Sequence, residues 1–128
     1  MIPRLSVFLV LMIAQSFWTT PLFAKTGGAL AVVWGQGAKF HGFSSRGSAA
    51  ENRKAAIRKC GNKKCEIAQE YHKGQCAVLV LGDGQIFWNG GKNGDVDDFK
   101  PANTVRKNLL AHCNRIDDGC NIILTECY

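Results

Sequence analysis

Six cysteines, Cys60, Cys65, Cys76, Cys113, Cys120 and Cys127, constrain this chain more than any other feature of its 128 residues. An even count in so short a sequence reads as three disulfides if the protein is exported, and as metal ligands or free thiols if it stays in a reducing compartment. The N-terminus favours export. Arg4 supplies a positive start, Val7 to Ala14 is an uninterrupted apolar run, and Pro21-Leu22-Phe23-Ala24 ends on a small residue, the build of a secretion signal cut between Ala24 and Lys25. The apolar run is too short for a spanning helix, which needs roughly 20 residues. Residues 1–24 are therefore expected to be a signal peptide. Residues 25–128 are expected to form a single disulfide-stapled domain, periplasmic or secreted. A zinc site is the competing reading: four residues separate Cys60 from Cys65, which suits a ligand pair, but six separate Cys113 from Cys120, which does not. No metal and no cofactor is expected.

The chain also resembles itself. Ala31-Val32-Val33-Trp34-Gly35-Gln36-Gly37 followed by Phe40 matches Val78-Leu79-Val80-Leu81-Gly82-Asp83-Gly84 followed by Phe87, an offset of 47 residues. Ala49, Arg53, Ile57 and Cys60 match Ala102, Arg106, Leu110 and Cys113 at an offset of 53, so the second copy has gained six residues, placed around Asp95-Val96-Asp97-Asp98. Cys65-Glu66-Ile67 then matches Cys120-Asn121-Ile122. Each copy opens with an apolar run of strand length, a Gly-x-Gly turn and an aromatic-bearing segment, which together read as a β-hairpin. Neither Gly-x-Gly has the third glycine or the immediate helix of a phosphate-binding loop.

A helix follows each hairpin. Ser44, Ser45 or Ser48 is placed to cap the first, and Pro101 fits an early position of the second, with Asn103 or Asp98 nearby. Ala102, Val105, Leu109 and Cys113 recur at helical spacing and form one face. Ala49, Ala50, Ala56, Ile57 and Cys60 form a weaker one in the first helix, whose other faces carry cations. Each helix ends at a cysteine, and a short polar loop leads to a second cysteine that opens another strand. That layout predicts Cys60–Cys65 and Cys113–Cys120, each contributing about 2 kcal/mol, and leaves Cys76–Cys127, whose longer loop contributes about 4 kcal/mol in the chain-entropy model. The expected fold is α+β: two repeated β-hairpin-helix-strand units sharing one antiparallel sheet, with three disulfides.

These residues carry a resemblance to the bacterial secreted domain-of-unknown-function family 4189. The matching features are the Ala-Val-type strand, the Phe-Ser-Ser-Arg segment (Phe43 to Arg46), the alanine-bearing helix ending in Cys60-Gly61, then Cys65, the Gly-x-Cys-Ala-Val strand (Gly74 to Val78) and a second helix-Cys-loop-Cys unit. The resemblance covers roughly residues 28 to 128. It implies an exported bacterial protein and carries no catalytic residue. The first helix of this chain is richer in Lys and Arg than the alanine-dominated helices of the family.

Charge is concentrated in one segment. The leader takes only Arg4, so residues 25–128 keep 15 cations against 10 acids, a net charge of +5. Residues 46–73 hold eight cations against Glu51, Glu66 and Glu70, and so carry all of it. Arg46, Arg53, Lys54, Arg58, Lys59, Lys63 and Lys64 are accordingly the candidate binding patch, for an anionic surface or a protein in the cell envelope, with nucleic acid a weaker alternative. The bland reading is a solvated helix face. Arg53 and Arg106 sit at equal places in the two copies near the apolar face, which buried stems with snorkelling heads explain without a ligand.

Catalytic readings are thinner. His112-Cys113 is the adjacent thiol–base pair, but neighbours on a helix point about 100° apart and a bonded Cys113 is no nucleophile. His41, His72 and His112 are acid–base candidates for a small secreted nuclease. Glu51, Glu66, Glu70, Asp83 and Asp95 to Asp98 supply carboxylates for cell-wall hydrolysis or calcium, with no spacing that singles out a pair. Trp34, Phe40, Phe43, Phe87 and Trp88 are expected on strands in the core; exposed ones would indicate a protein or glycan partner. The favoured function is a non-catalytic binding or interaction module, including an inhibitor or immunity-type protein, with a secreted hydrolase as the alternative.

Overall fold

A computed structural model describes residues 25–90 and 101–128. The expected leader and the aspartates of the second-copy insertion lie outside the described residues. The chain runs β1 (Gly28–Val32), β2 (His41–Ser44), α1 (Ala49–Cys60), β3 (Glu66–Tyr71), β4 (Cys76–Leu81), β5 (Ile86–Trp88), α2 (Ala102–Ile116) and β6 (Asn121–Cys127). The fold is the α+β arrangement expected, of two strand-strand-helix-strand units. The sheet differs from expectation: there are two, ordered β2-β1-β3 and β5-β4-β6, each antiparallel and three-stranded, and no ladder joins them among the described residues.

The physical reason lies in the central strands. β1 is apolar on both faces: Ala29, Ala31 and Val33 pack on Ala56 and Cys60 of α1, while Leu30 and Val32 meet Leu79 and Ile86 of the other unit. β4 alternates the same way, with Val78 and Val80 toward Val105, Leu109 and Cys113 of α2 and Leu79 toward the first sheet. A strand buried on both faces needs a cover on each. One shared sheet with helices on a single face would leave Leu30, Val32 and Leu79 in water, at about 1.5–3 kcal/mol for each large side chain. Stacking the sheets face to face with one helix outside each covers all of them.

The ladders align the two units more closely than residue matching does. Both central strands carry an irregularity against the third strand, between Leu30 and Ala31 and between Leu79 and Val80, which makes these pairs equivalent at an offset of 49 rather than 47. The pairs Leu30–Phe43 and Leu79–Trp88 then set Phe43 against Trp88 and His41 against Ile86, whereas the 47-residue offset of the sequence match sets His41 against Trp88. The displacement arises because the first hairpin loop spans residues 33–40 and the second only 82–85.

Ser48 caps α1: its hydroxyl accepts from the Glu51 N–H at 3.2 Å and donates to the Glu51 carboxylate at 3.0 Å. Gly61, at φ 74°, ends the helix in the left-handed region. Pro101 stands at the N-cap of α2 itself, and no side chain caps that helix. All three disulfides have the expected pairing: Cys60–Cys65 and Cys113–Cys120 tie each helix end to the following strand, and Cys76–Cys127 joins directly opposed residues of β4 and β6.

Candidate functional site

The seven cations of the candidate patch do not form one surface. Arg46 is exposed before α1 and Lys63 and Lys64 are exposed after it, so a 12-residue helix of about 18 Å separates the two ends. Arg53 points along the sheet, where its guanidinium donates to Glu70 at 2.8 Å. Lys59 turns back over β2 and donates to the Phe43 carbonyl at 3.1 Å. Lys54 and Arg58 remain, one turn apart on the outward face. Neither has a carboxylate within ion-pair distance among the described residues. Ile57 lies on the same side and is 41% exposed, so the expected place for it on the apolar face is wrong. The buried face is instead Asn52, Ala56 and Cys60, because the helix presses onto Gly42 of β2, where a β-carbon would stand 2.3 Å from the Ala56 carbonyl oxygen. A face that close admits alanine and not isoleucine.

A second cluster, which residue spacing does not reveal, joins the start of the described chain to its end. Glu126 of β6 accepts from Lys25 Nζ at 2.6 Å, from the Ser45 hydroxyl at 2.6 Å and from the Tyr128 hydroxyl at 3.0 Å. Partial burial pushes this carboxyl up, but the hydrogen bonds from Lys25, Ser45 and Tyr128 outweigh it and hold Glu126 below its ordinary value. Burial, with the neighbouring Glu126 carboxylate, pushes the Tyr128 phenol well above its ordinary value. Nearby, a cavity of about 50 Å³ is lined by Thr26, Gly28, Ala49, Asn52, Glu70 and Tyr71 among others. It has room for a few waters and none for a sugar or nucleotide. Asn52 is buried and committed: it accepts from the Gly47 N–H at 3.0 Å and the Ser44 hydroxyl at 3.5 Å, and donates to the Gly47 and Gly27 carbonyls. Its alignment with Val105 is the sequence signal, a polar residue where the other helix keeps an apolar one.

The catalytic candidates are dispersed. His41 Nδ1 lies 2.7 Å from the Gly37 carbonyl oxygen in the first hairpin, His72 is exposed in the turn before β4, and His112 packs edge-on to Phe87 under α2. Every cysteine is disulfide-bonded, so Cys113 offers no thiolate beside His112. Glu51 is engaged by Ser48, Glu70 by Arg53 and Glu66 by the Trp34 indole. Asp117, not singled out by any sequence pattern, accepts from the N–H groups of Gly84 and Gln85 at 2.9 Å each and closes the second hairpin onto the end of α2. The hydrogen bonds from the Gly84 and Asp118 N–H groups, helped by a lesser one from Gln85, hold its carboxyl below the ordinary value against the opposing effect of desolvation. No group of three or more His, Cys, Asp or Glu side chains is placed to hold a metal ion among the described residues. No helix among them is long and apolar enough to cross a membrane.

The aromatics divide. Phe87 is buried, Phe40, Phe43 and Trp88 are partly buried against the cores, and Trp34 stands in the loop after β1, 56% exposed. Trp34 is thus neither on a strand nor in the core, and Phe40, also expected on a strand, ends the same loop just before β2.

No curated protein and no solved structure matches the chain. Residues 27–127 match the family described as Domain of unknown function (DUF4189), and that span takes in every described strand, both helices and all three disulfides. The chain belongs to the DUF4189 family.

Proposed function

We propose that this chain is an exported, non-catalytic binding module that uses the outward face of α1 to contact an anionic partner in the cell envelope. The observation that carries this reading is the pair Lys54 and Arg58, uncompensated among the described residues and flanking the exposed Ile57, while Arg53 and Lys59 of the same helix are spent on Glu70 and the Phe43 carbonyl. Two cations around an apolar side chain offer Coulomb attraction for the encounter and a dry contact at its centre. The contact surface is therefore narrower than the seven cations suggested: Lys54, Ile57 and Arg58 on the outward face of α1.

Three disulfides suit an oxidising compartment. The leader at residues 1–24, the single-domain organisation of 25–128 and the periplasmic or secreted destination belong to this same proposal. So does the narrower role of inhibitor or immunity-type protein against an exported enzyme.

The test is a capture experiment from envelope and culture-medium fractions with the oxidised protein beside a Lys54→Glu/Arg58→Glu variant. A partner retained by the wild type and lost from the variant is the expected result. Equal retention by both forms, or hydrolysis of RNA or peptidoglycan by the wild type with no retained partner, overturns it.

A further inference from the structure

Away from α1, Trp34 and Trp88 lie side by side with ring centroids 5.8 Å apart and planes inclined at 59°. They come from different units: Trp34 from the long first hairpin loop, Trp88 from β5. The loop is well tied. Val33 donates to the Phe40 carbonyl, Gln36 to Val33, and Phe40 to Gln36, while Gly37 sits against the Ile86 side chain of the second unit, so close that a β-carbon there would stand 2.5 Å from Ile86 Cγ2. The indole N–H of Trp34 donates to Glu66 at 2.9 Å, which sets the ring's orientation and places a carboxylate at its edge. Glu66 is exposed and has no cation within ion-pair distance among the described residues.

An exposed tryptophan costs free energy in water, and holding one in a fixed orientation costs side-chain entropy as well. The faces of the indole rings carry negative π-potential, Trp34 is the more exposed ring of the pair with Trp88 half-buried against it, and the uncompensated Glu66 adds a negative charge at the Trp34 edge. Such a pair attracts a cation that carries an apolar shell, since the rings bind its methyl or methylene groups and its charge together. The same loop already makes one contact of this kind, with Lys39 Nζ 5.3 Å from the centre of the Phe40 ring. A sugar is a poorer match: it stacks on one flat face and asks for several neutral hydrogen-bonding groups around it, whereas the polar group tied to this pair is a single carboxylate.

We infer that Trp34, Trp88 and Glu66 form a binding site for an alkylammonium group, a quaternary ammonium in the first instance. The site is assembled where the two units meet. It is separate from the basic face of α1, so it stands or falls independently of that surface.

The probe is choline, titrated into the oxidised protein while the indole N–H resonances of Trp34 and Trp88 are followed by NMR, beside its neutral isostere 3,3-dimethylbutan-1-ol. Both resonances should shift with choline, and the isostere should bind at least about tenfold more weakly. Glu66→Gln keeps an acceptor for the Trp34 N–H and removes the charge; it should lower choline affinity about tenfold and leave the isostere unchanged. Trp34→Ala, an exposed change that leaves the core intact, should abolish the shift at Trp88. Retention of the protein on phosphatidylcholine vesicles, lost in Trp34→Ala, would make a lipid headgroup the source of the ammonium; binding of free choline without vesicle retention would make it a soluble ligand. Equal binding of choline and its isostere, or no shift with either in a protein whose amide spectrum is native, overturns the site, as does response to a neutral disaccharide alone.

Discussion

The two units share an element order and a strand order, yet they secure their helices by different means. In the first, α1 lies directly on the backbone of β2 at Gly42; in the second, the residue at the same ladder position is Phe87, which fills the space beneath α2 and meets His112. The first helix buries Asn52 where the second buries Val105. Even the carbonyl at the start of each central strand is satisfied differently. Asn52 reaches Gly27 from the helix, whereas Asn89 reaches Cys76 from the end of β5. The third disulfide belongs to the second unit alone, since Gly27 and His72 occupy the places of Cys76 and Cys127. A close-packed, hydrogen-bonded helix does in one unit what a large side chain and a covalent cross-strand bond do in the other. The difference teaches that a shared topology prescribes the ladder and leaves open how the outer layer is attached to it.

Four experiments sharpen or break this contrast. The largest effect is expected for Cys76→Ala/Cys127→Ala. Opening a link between residues 51 apart should cost about 4 kcal/mol, against about 2 kcal/mol for Cys60→Ala/Cys65→Ala, read from denaturant midpoints under non-reducing conditions. Equal losses would mean that the covalent bond is not what distinguishes the second unit. Next is Gly42→Ala, whose β-carbon meets helix backbone rather than a flexible side-chain tip; about 3 kcal/mol is expected, with hydrogen-exchange protection lost in α1 before α2. Uniform loss across both helices would contradict separate attachment.

Asn52→Val makes the first helix resemble the second, and on apolar pattern alone it should stabilise. It is expected instead to destabilise by about 2 kcal/mol, because the Gly47 N–H and the Gly27 and Gly47 carbonyls lose a buried partner. The smallest effect is that of pH. The carboxyl of Glu126 is held below its ordinary 4.5, so its contribution is complete above that value and is lost as pH falls below it. Tyr128, raised above its ordinary 10.0, has the opposite sign, with stability declining as pH rises past 10. Thermal melts of Glu126→Gln and Tyr128→Phe should flatten the acid and alkaline slopes respectively, and an unchanged acid slope in Glu126→Gln would remove the cluster from the account.

Much of the frame is legible in the sequence. Cys60–Cys65 and Cys113–Cys120 follow from a helix end and a strand start placed a few residues apart, which are near in space whatever the fold, and Cys76–Cys127 follows once these are paired. Val105, Leu109 and Cys113 show their face because each is large and apolar at helical spacing. The first helix hides its face, since alanines mark a close approach only when the surface approached is known, and spacing puts Ile57 on the wrong side for that reason. Of the candidate surface, the excess of cations in residues 46–73 is plain in the sequence; that Arg53 and Lys59 are held by hydrogen bonds while Lys54 and Arg58 make no ion pair among the described residues depends on where Glu70 and the Phe43 carbonyl lie.

The local pattern of this chain was enough to specify its helices, the main runs of its strands and the two cross-links at the helix ends, because each depends on residues within a few turns of one another. Which faces meet is different in kind. Two three-stranded sheets stacked through Leu30, Val32, Leu79 and Ile86, Trp34 brought against Trp88, and Glu126 gathered with Lys25 and Ser45 are contacts between residues tens of positions apart. They were decided by the requirement that strands apolar on both sides be covered on both sides, a condition that belongs to the packed molecule and to no single segment of it.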